Sequence, residues 1–105
     1  MNYQVLIQPV AFQEIETSYR WMCDNLSAEV ANNWYYELQD AIDSLEKFPN
    51  RCKIAPEAPA IGREIRQLWV GKRRKYRLLF VVEEDVVAIL HVRHSSQPYL
   101  GEDAD

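Results

Sequence analysis

Three features of the chain predict an α+β fold in the order β-α-α-β-β-β, with a helical hairpin packed on one face of a mainly antiparallel sheet. Two apolar stripes at helical spacing follow one another in the N-terminal half. Three short apolar runs with strand-like alternation follow in the C-terminal half, and a proline-rich stretch separates the two groups. With 105 residues, of which 48% are hydrophobic and 27% charged, a single core is expected and residues 1–105 read as one domain.

Residues 3–8 predict a strand in which Val5 and Ile7 alternate with Gln4, Leu6 and Gln8. Pro9 ends it and suits the first turn of a helix, where its missing N–H has no partner to lose. Ala11, Ile15, Tyr19, Met22 and Leu26 then recur at steps of three and four, which predicts a helix over residues 9–25. Ser27 is placed as an N-cap for a second helix, with Glu29 in the first turn where the helix dipole favours an acid. The second stripe is Val30, Trp34, Leu38, Ala41, Leu45 and Phe48, carried up to Pro49. The short link between the stripes makes the two helices antiparallel neighbours.

Residues 49–62 read as an irregular connection inside the domain. Strands are predicted over residues 64–70, 76–82 and 86–93, the last two joined by the turn Glu83-Glu84-Asp85. On the central strand Tyr76, Leu78, Phe80 and Val82 share one face, and Arg77, Leu79 and Val81 share the other. A hairpin covers only one side of the sheet, so the other face is expected to stay partly open, letting Arg66, Arg77 and Arg93 reach solvent or a ligand. Residues 97–105 are polar and acidic and are expected to form a flexible tail.

The N-terminus has neither a basic leader nor a long apolar segment, and no apolar run approaches the ~20 residues of a membrane span. A cytoplasmic protein with no membrane association is expected. Cys23 and Cys52 lack a metal-type spacing, so both read as reduced thiols, and neither a metal site nor a cofactor is expected. Net charge is −4, but it is unevenly spread. Residues 1–46 carry −7, residues 47–77 carry +8 and residues 78–105 carry −5. Within the basic middle, Arg63, Arg66, Lys72, Arg73, Arg74 and Lys75, with Arg93 from the last strand, are the candidate binding residues for phosphate or an acidic partner. The alternative is a solvated face whose charges pair with acids from the helices.

Four runs, Ala41-Ile42-Asp43-Ser44-Leu45-Glu46-Lys47-Phe48-Pro49, Gly62-Arg63-Glu64-Ile65-Arg66, Tyr76-Arg77-Leu78-Leu79-Phe80 and Ile89-Leu90-His91-Val92-Arg93-His94, resemble landmarks of the RelE/ParE toxins of type II toxin–antitoxin systems. The opening, where a short strand leads through Pro9 and Ala11 into the first helix, is similar as well. No one run is specific; their order over nearly the whole chain carries the resemblance. It implies a growth-arresting toxin, used for example in plasmid stabilisation, and a cognate antitoxin whose C-terminal segment folds on the toxin in a hetero-oligomer.

The resemblance implies two alternative targets. One branch is similar to ribosome-dependent mRNA endoribonucleases, which need a base for the 2′-hydroxyl, a cation for the phosphate and an acid for the leaving oxygen. By position these would be Glu57, Arg77 and His94 respectively, with His91 facing the opposite way and packed. Each also has an ordinary reading: Glu57 as a solvated acid, Arg77 as an ion-pair partner, His94 as a strand-end surface residue. The other branch is similar to binding inhibitors of DNA gyrase, which carry out no catalysis. Ser95 and Ser96 stand after His94 where ribosome-dependent members often place an aromatic residue to stack on a base. That difference and the acidic net charge favour gyrase. A non-toxic interaction module is the third reading.

Overall fold

The computed structural model describes residues 2–100, so residues 101–105 of the expected acidic tail lie outside the described residues. The element order is β1 (Gln4–Ile7), α1 (Pro9–Asn25), α2 (Ala28–Ser44), a 3-10 turn (Pro49–Arg51), α3 (Ala58–Ile61), β2 (Arg66–Val70), β3 (Tyr76–Glu83) and β4 (Val86–His94). The strands form one sheet in the order β1-β4-β3-β2. β2, β3 and β4 make an antiparallel meander, while β1 runs parallel to β4 along the outer edge. The predicted α+β class and the hairpin-on-sheet arrangement are what the chain adopts.

α1 starts at Pro9 and buries Ala11, Ile15 and Met22. α2 starts where Ser27 Oγ accepts a hydrogen bond from the Val30 N–H at 3.1 Å, and it buries Ala31, Trp34, Leu38 and Ile42. Trp34, Leu38 and Leu45 of the expected stripe are buried, Ala31 and Ile42 join them, and Val30 and Phe48 are exposed. α2 also stops at Ser44, short of Pro49. A residue before proline is disfavoured in the right-handed helical region, and Phe48 takes a left-handed conformation with φ 54° and an exposed ring. Arg51 Nη1 donates to the carbonyl oxygens of Lys47 (3.2 Å) and Phe48 (3.1 Å), which satisfies acceptors released where the helix unwinds.

The main core lies between the hairpin and the sheet, where Leu38, Leu78, Phe80, Val87 and Ile89 are inaccessible to solvent. The second face of the sheet is covered over β2 and β3 and stays partly open toward β1, where Leu6, paired with Ala88, is 42% exposed. Residues 53–55 pair along the edge of β2, through Ala55 N–H to Ile65 O (2.7 Å) and Gln67 N–H to Lys53 O (2.9 Å). The connection then folds over the sheet, and Ala55, Ala58 and Ile65 close on Leu79 and Val81 with Ala88, Leu90 and Leu100 against them. Leu79 and Val81 expose too much apolar area to be left in water, and the proline-rich segment supplies the cover.

One irregularity in β4 governs the placement of everything beyond it. Leu79 pairs with His91 but Phe80 pairs with Ile89, so Leu90 is an extra residue, a β-bulge. Strict alternation from Ile89 would bring His91 to the helix side. Because of the bulge, Val92 joins the main core instead, and His94 lies opposite Tyr76.

The β2–β3 turn depends on Gly71 at φ +70°. Gly71→Ala should lower stability by about 1–2 kcal/mol, the cost of a side chain in left-handed backbone. A Cβ there would also fall 2.7 Å from the Glu37 carboxylate, but that group ends a flexible side chain and can move aside. Urea unfolding should therefore show no recovery when Glu37→Ala is added to the Gly71→Ala chain.

Candidate functional site

The central strand sends Arg77 to the second face of the sheet, where its guanidinium meets the carboxylate of Glu57 from the covering connection. Nη1 donates to Oε1 at 2.9 Å and Nη2 to Oε2 at 2.5 Å, with a further bond from Nη1 to Gln67 Oε1 at 2.8 Å. Glu57 is 1% exposed and Arg77 3%. Neither the expected solvated acid at Glu57 nor the expected exposed cation at Arg77 is found, because the connection seals the face on which they meet. Burial raises the pKa of the Glu57 carboxyl. The hydrogen bonds and positive charge of Arg77, with backbone hydrogen bonds at Glu57 and Leu100, outweigh that effect and hold it below its ordinary value.

Residues 98–100 strap this pair down rather than trailing into solvent as part of a flexible tail. The Tyr99 ring lies 5.2 Å from Arg77 Cζ, Leu100 packs on the second core, and Arg93 Nη2 donates to Pro98 O at 2.8 Å. Arg93 is the cross-strand neighbour of Arg77, so it too faces the covered side.

His94 is elsewhere. The bulge brings it to the helix side, where its ring stands edge-on to Tyr76 at 4.9 Å. Its Nδ1 accepts the Ser96 N–H at 3.0 Å, which in the neutral ring leaves the proton on Nε2. The structure thus joins two of the three catalytic candidates, Glu57 and Arg77, in one closed pair and sets the third on the opposite face. His91 faces away from His94, as expected, with Nδ1 3.2 Å from Glu14 Oε2. The other oxygen of Glu14 accepts the Val92 N–H at 2.9 Å, where β1 no longer covers the edge of β4.

The remaining basic candidates divide by employment. Arg66 is on the helix side, opposite Phe80, and is committed to the connection through Cys52 O (2.6 Å), Asn50 O (3.2 Å) and Glu64 (3.2 Å). Arg63 stands 3.9 Å from Glu83 at the surface. Lys72, Arg73, Arg74 and Lys75 form the exposed β2–β3 turn, and among the described residues none of the four makes an ion pair.

Arg73 and Lys75 also line a groove of about 980 Å³ between the β2–β3 turn and the end of the hairpin where α1 and α2 are joined, together with Trp21, Leu26, Val30, Trp34, Tyr76 and His94. Trp34 and Tyr76 lie 5.0 Å apart. The indole N–H of Trp34 is buried without an acceptor among the described residues, at a cost of about 1–3 kcal/mol. Sequence reasoning counted Trp34 and Leu26 as core and did not single out Trp21. The helical period marks which face a residue is on but not where the partner layer ends.

Among the described residues no group of three or more His, Cys, Asp or Glu is arranged to hold a metal ion, and no helix is long and apolar enough to cross a membrane. Cys23 and Cys52 are free thiols, and burial pushes the Cys52 thiol up.

The strand order, the hairpin and the strap together describe a fold that comparison places directly. The family model for the ParE toxin of type II toxin–antitoxin systems, parDE, matches residues 5–99. The chain belongs to the ParE toxin family. Comparison with curated proteins gave no match. Among solved structures, a chain of the chromosomal ParDE TA system from P. aeruginosa is similar at 16% identity, with a TM-score of 0.69 over 88% of this chain and 95% of that one. At that identity the likeness is one of fold. In this member of the ParE family, then, the buried pair holds the second layer in place while the groove and the basic turn remain accessible.

Removing one partner of a buried ion pair leaves an uncompensated charge, so Glu57→Ala or Arg77→Ala should each cost about 3–5 kcal/mol in denaturant unfolding. The double change Glu57→Leu/Arg77→Met should cost less than either single one. The pH dependence follows from the depressed pKa of Glu57. Its contribution to stability is fully present above the ordinary value of 4.5 and is lost as pH falls through the lower folded value. Melting temperature should fall with acid more steeply in the natural chain than in Glu57→Gln.

Proposed function

We propose that this chain is the toxin of a type II toxin–antitoxin pair, acting by binding and inhibiting DNA gyrase rather than by cutting RNA, and silenced when a cognate antitoxin covers it. The observation that carries the non-catalytic reading is the separation of the three groups an RNA-cleaving site would need. Glu57 and Arg77 neutralise one another at 2.9 Å or less under the strap, and His94 projects from the other face beside Tyr76. A base that is 1% exposed and bound to a buried guanidinium is out of reach of a 2′-hydroxyl, and proton transfer needs the acid within hydrogen-bond reach of the same phosphate. The toxin role itself is supported by the family match over residues 5–99.

Binding inhibition asks only for an exposed, complementary surface. The basic turn and the groove beside it offer one, and so do exposed aromatic residues of the hairpin such as Phe12 and Tyr36.

The expected outcome in a purified system is loss of gyrase supercoiling at stoichiometric toxin, with no RNA fragments in a translating extract. Growth arrest on expression should be relieved by co-expression of the antitoxin. His94→Ala should keep the arrest, whereas a catalytic acid at that position would lose about 10²-fold or more in cleavage. Codon-spaced mRNA cleavage that disappears in Arg77→Lys, in a chain shown to be folded, would replace gyrase inhibition with the endoribonuclease reading. Normal growth at high expression would leave the third reading, a non-toxic interaction module.

A further inference from the structure

The sheet is unfinished along β1 in both its backbone and its side chains. Successive residues of a strand send their N–H and C=O groups to opposite edges. The N–H groups of Gln4 and Gln8 point inward, to Asp85 O (2.8 Å) and Ile89 O (3.0 Å), so those of Val5 and Ile7 point outward, and they have no partner among the described residues. This open stretch is closed at each end. The Tyr3 N–H is taken by Glu46 O at 2.8 Å, and Pro9 has no N–H to offer. The cover on the second face stops short of the same edge, where Leu6 is 42%, Ile7 37% and Val10 52% exposed. Val10 and Gln8 line a shallow recess there with Ile61 and Leu90. β1 also lacks the features that keep edge strands apart, since residues 4–7 contain no charge and no proline and their pairing with β4 has no bulge.

We propose that this edge pairs with the same edge of a second copy of the chain, β1 antiparallel to β1 about a twofold axis at Leu6, so that two sheets become one of eight strands. The register follows from where the free groups stand. Val5 and Ile7 flank Leu6 equally, so with Leu6 opposite Leu6, Val5 of each copy meets Ile7 of the other and every free N–H and C=O of the two stretches is paired. A register centred on Val5 sets Ile7 against Tyr3, whose N–H is taken, and one centred on Ile7 sets Val5 against Pro9, which has none. The two half-exposed Leu6 side chains then cover one another at the axis. The shortness of the open stretch favours a second copy over a flexible peptide. A peptide would make the same few backbone bonds and lose conformational entropy at each residue fixed, whereas a second β1 arrives already extended and brings Leu6, Ile7 and Val10 with it. A four-residue edge buries less than the ~1,200–2,000 Å² of a standard interface, so the pairing is reversible, with Kd on the order of micromolar or above. Each copy carries −4, so added salt tightens it. β2 is the far edge of the sheet, and the basic turn stays accessible in the pair. The pairing is independent of the target proposed above.

Analytical ultracentrifugation of the full chain between ~1 µM and ~1 mM tests this, together with amide hydrogen exchange read residue by residue. The expected result is a concentration-dependent dimer that tightens with salt, in which the Val5 and Ile7 amides exchange freely at the low end and are protected at the high end. Leu6→Lys sets like charges opposite one another at the axis and should raise Kd by about tenfold or more. Ile7→Pro removes one of the two free N–H groups of each copy without touching the ladder to β4, and should also raise Kd by about tenfold. Thermal melts establish that each variant is folded, and either one decides the matter if the other is unstable. Tyr36→Lys, at a 66% exposed position on the hairpin, should leave the dimer unchanged. A chain that stays monomeric to ~1 mM overturns the proposal. So does a dimer that Tyr36→Lys breaks and Leu6→Lys does not. Protection of Val5 and Ile7 that appears only when purified cognate antitoxin is added would assign the edge to that partner and overturn it as well.

Discussion

Strand β3 is packed from both sides. Leu78, Leu79 and Phe80 are fully buried in succession and Val81 is 4% exposed, so the strand needs an apolar layer above and another below. The hairpin is the first layer. The second is built from residues with little regular structure of their own, a proline-rich connection with one short helix and the strap at residues 98–100. Fixing such segments costs conformational entropy that their few apolar contacts offset only in part. The Glu57–Arg77 pair supplies what the small second core lacks in directional fixation: Arg77 must sit there because β3 alternates, and Glu57 must follow to neutralise it. Breaking the pair exposes more than one interaction, because the connection and the strap meet on it.

A bulge of one residue does as much for function as the ion pair does for architecture. Strict alternation from Ile89 without a bulge would set His94 on the same face as Arg77. With it, His94 turns to the groove, edge-on to Tyr76. A single insertion in a ladder reverses every side chain beyond it, and here that reversal separates groups whose residue types alone read as an active site.

The division of the basic residues has the same character. A run of +8 over residues 47–77 reads as one patch, yet the fold spends Arg51 on the end of α2, Arg66 on the connection and Arg77 on Glu57. The turn is left with its cations unpaired among the described residues, next to an apolar groove.

How much of this was legible in the chain follows from the range of each interaction. Local periodicity and capping fixed α1 from Pro9, the N-cap at Ser27, the three C-terminal strands and the two faces of β3, since each depends on contacts within a few residues. The order of landmarks pointed to the family. What the period could not register was where α2 would unwind before Pro49, since that end is held by Arg51 reaching back, or that residues 53–62 would close the second face over β2 and β3. Glu57 and Arg77 were both singled out, but their meeting across 20 positions is a consequence of that closure, which no local pattern carries. The facing of His94 hung on the bulge, and the groove on where the hairpin outruns the sheet. Residue types and local spacing decided which elements form; the second layer and the register of β4, both set by contacts between distant segments, decided which side chains are left to act.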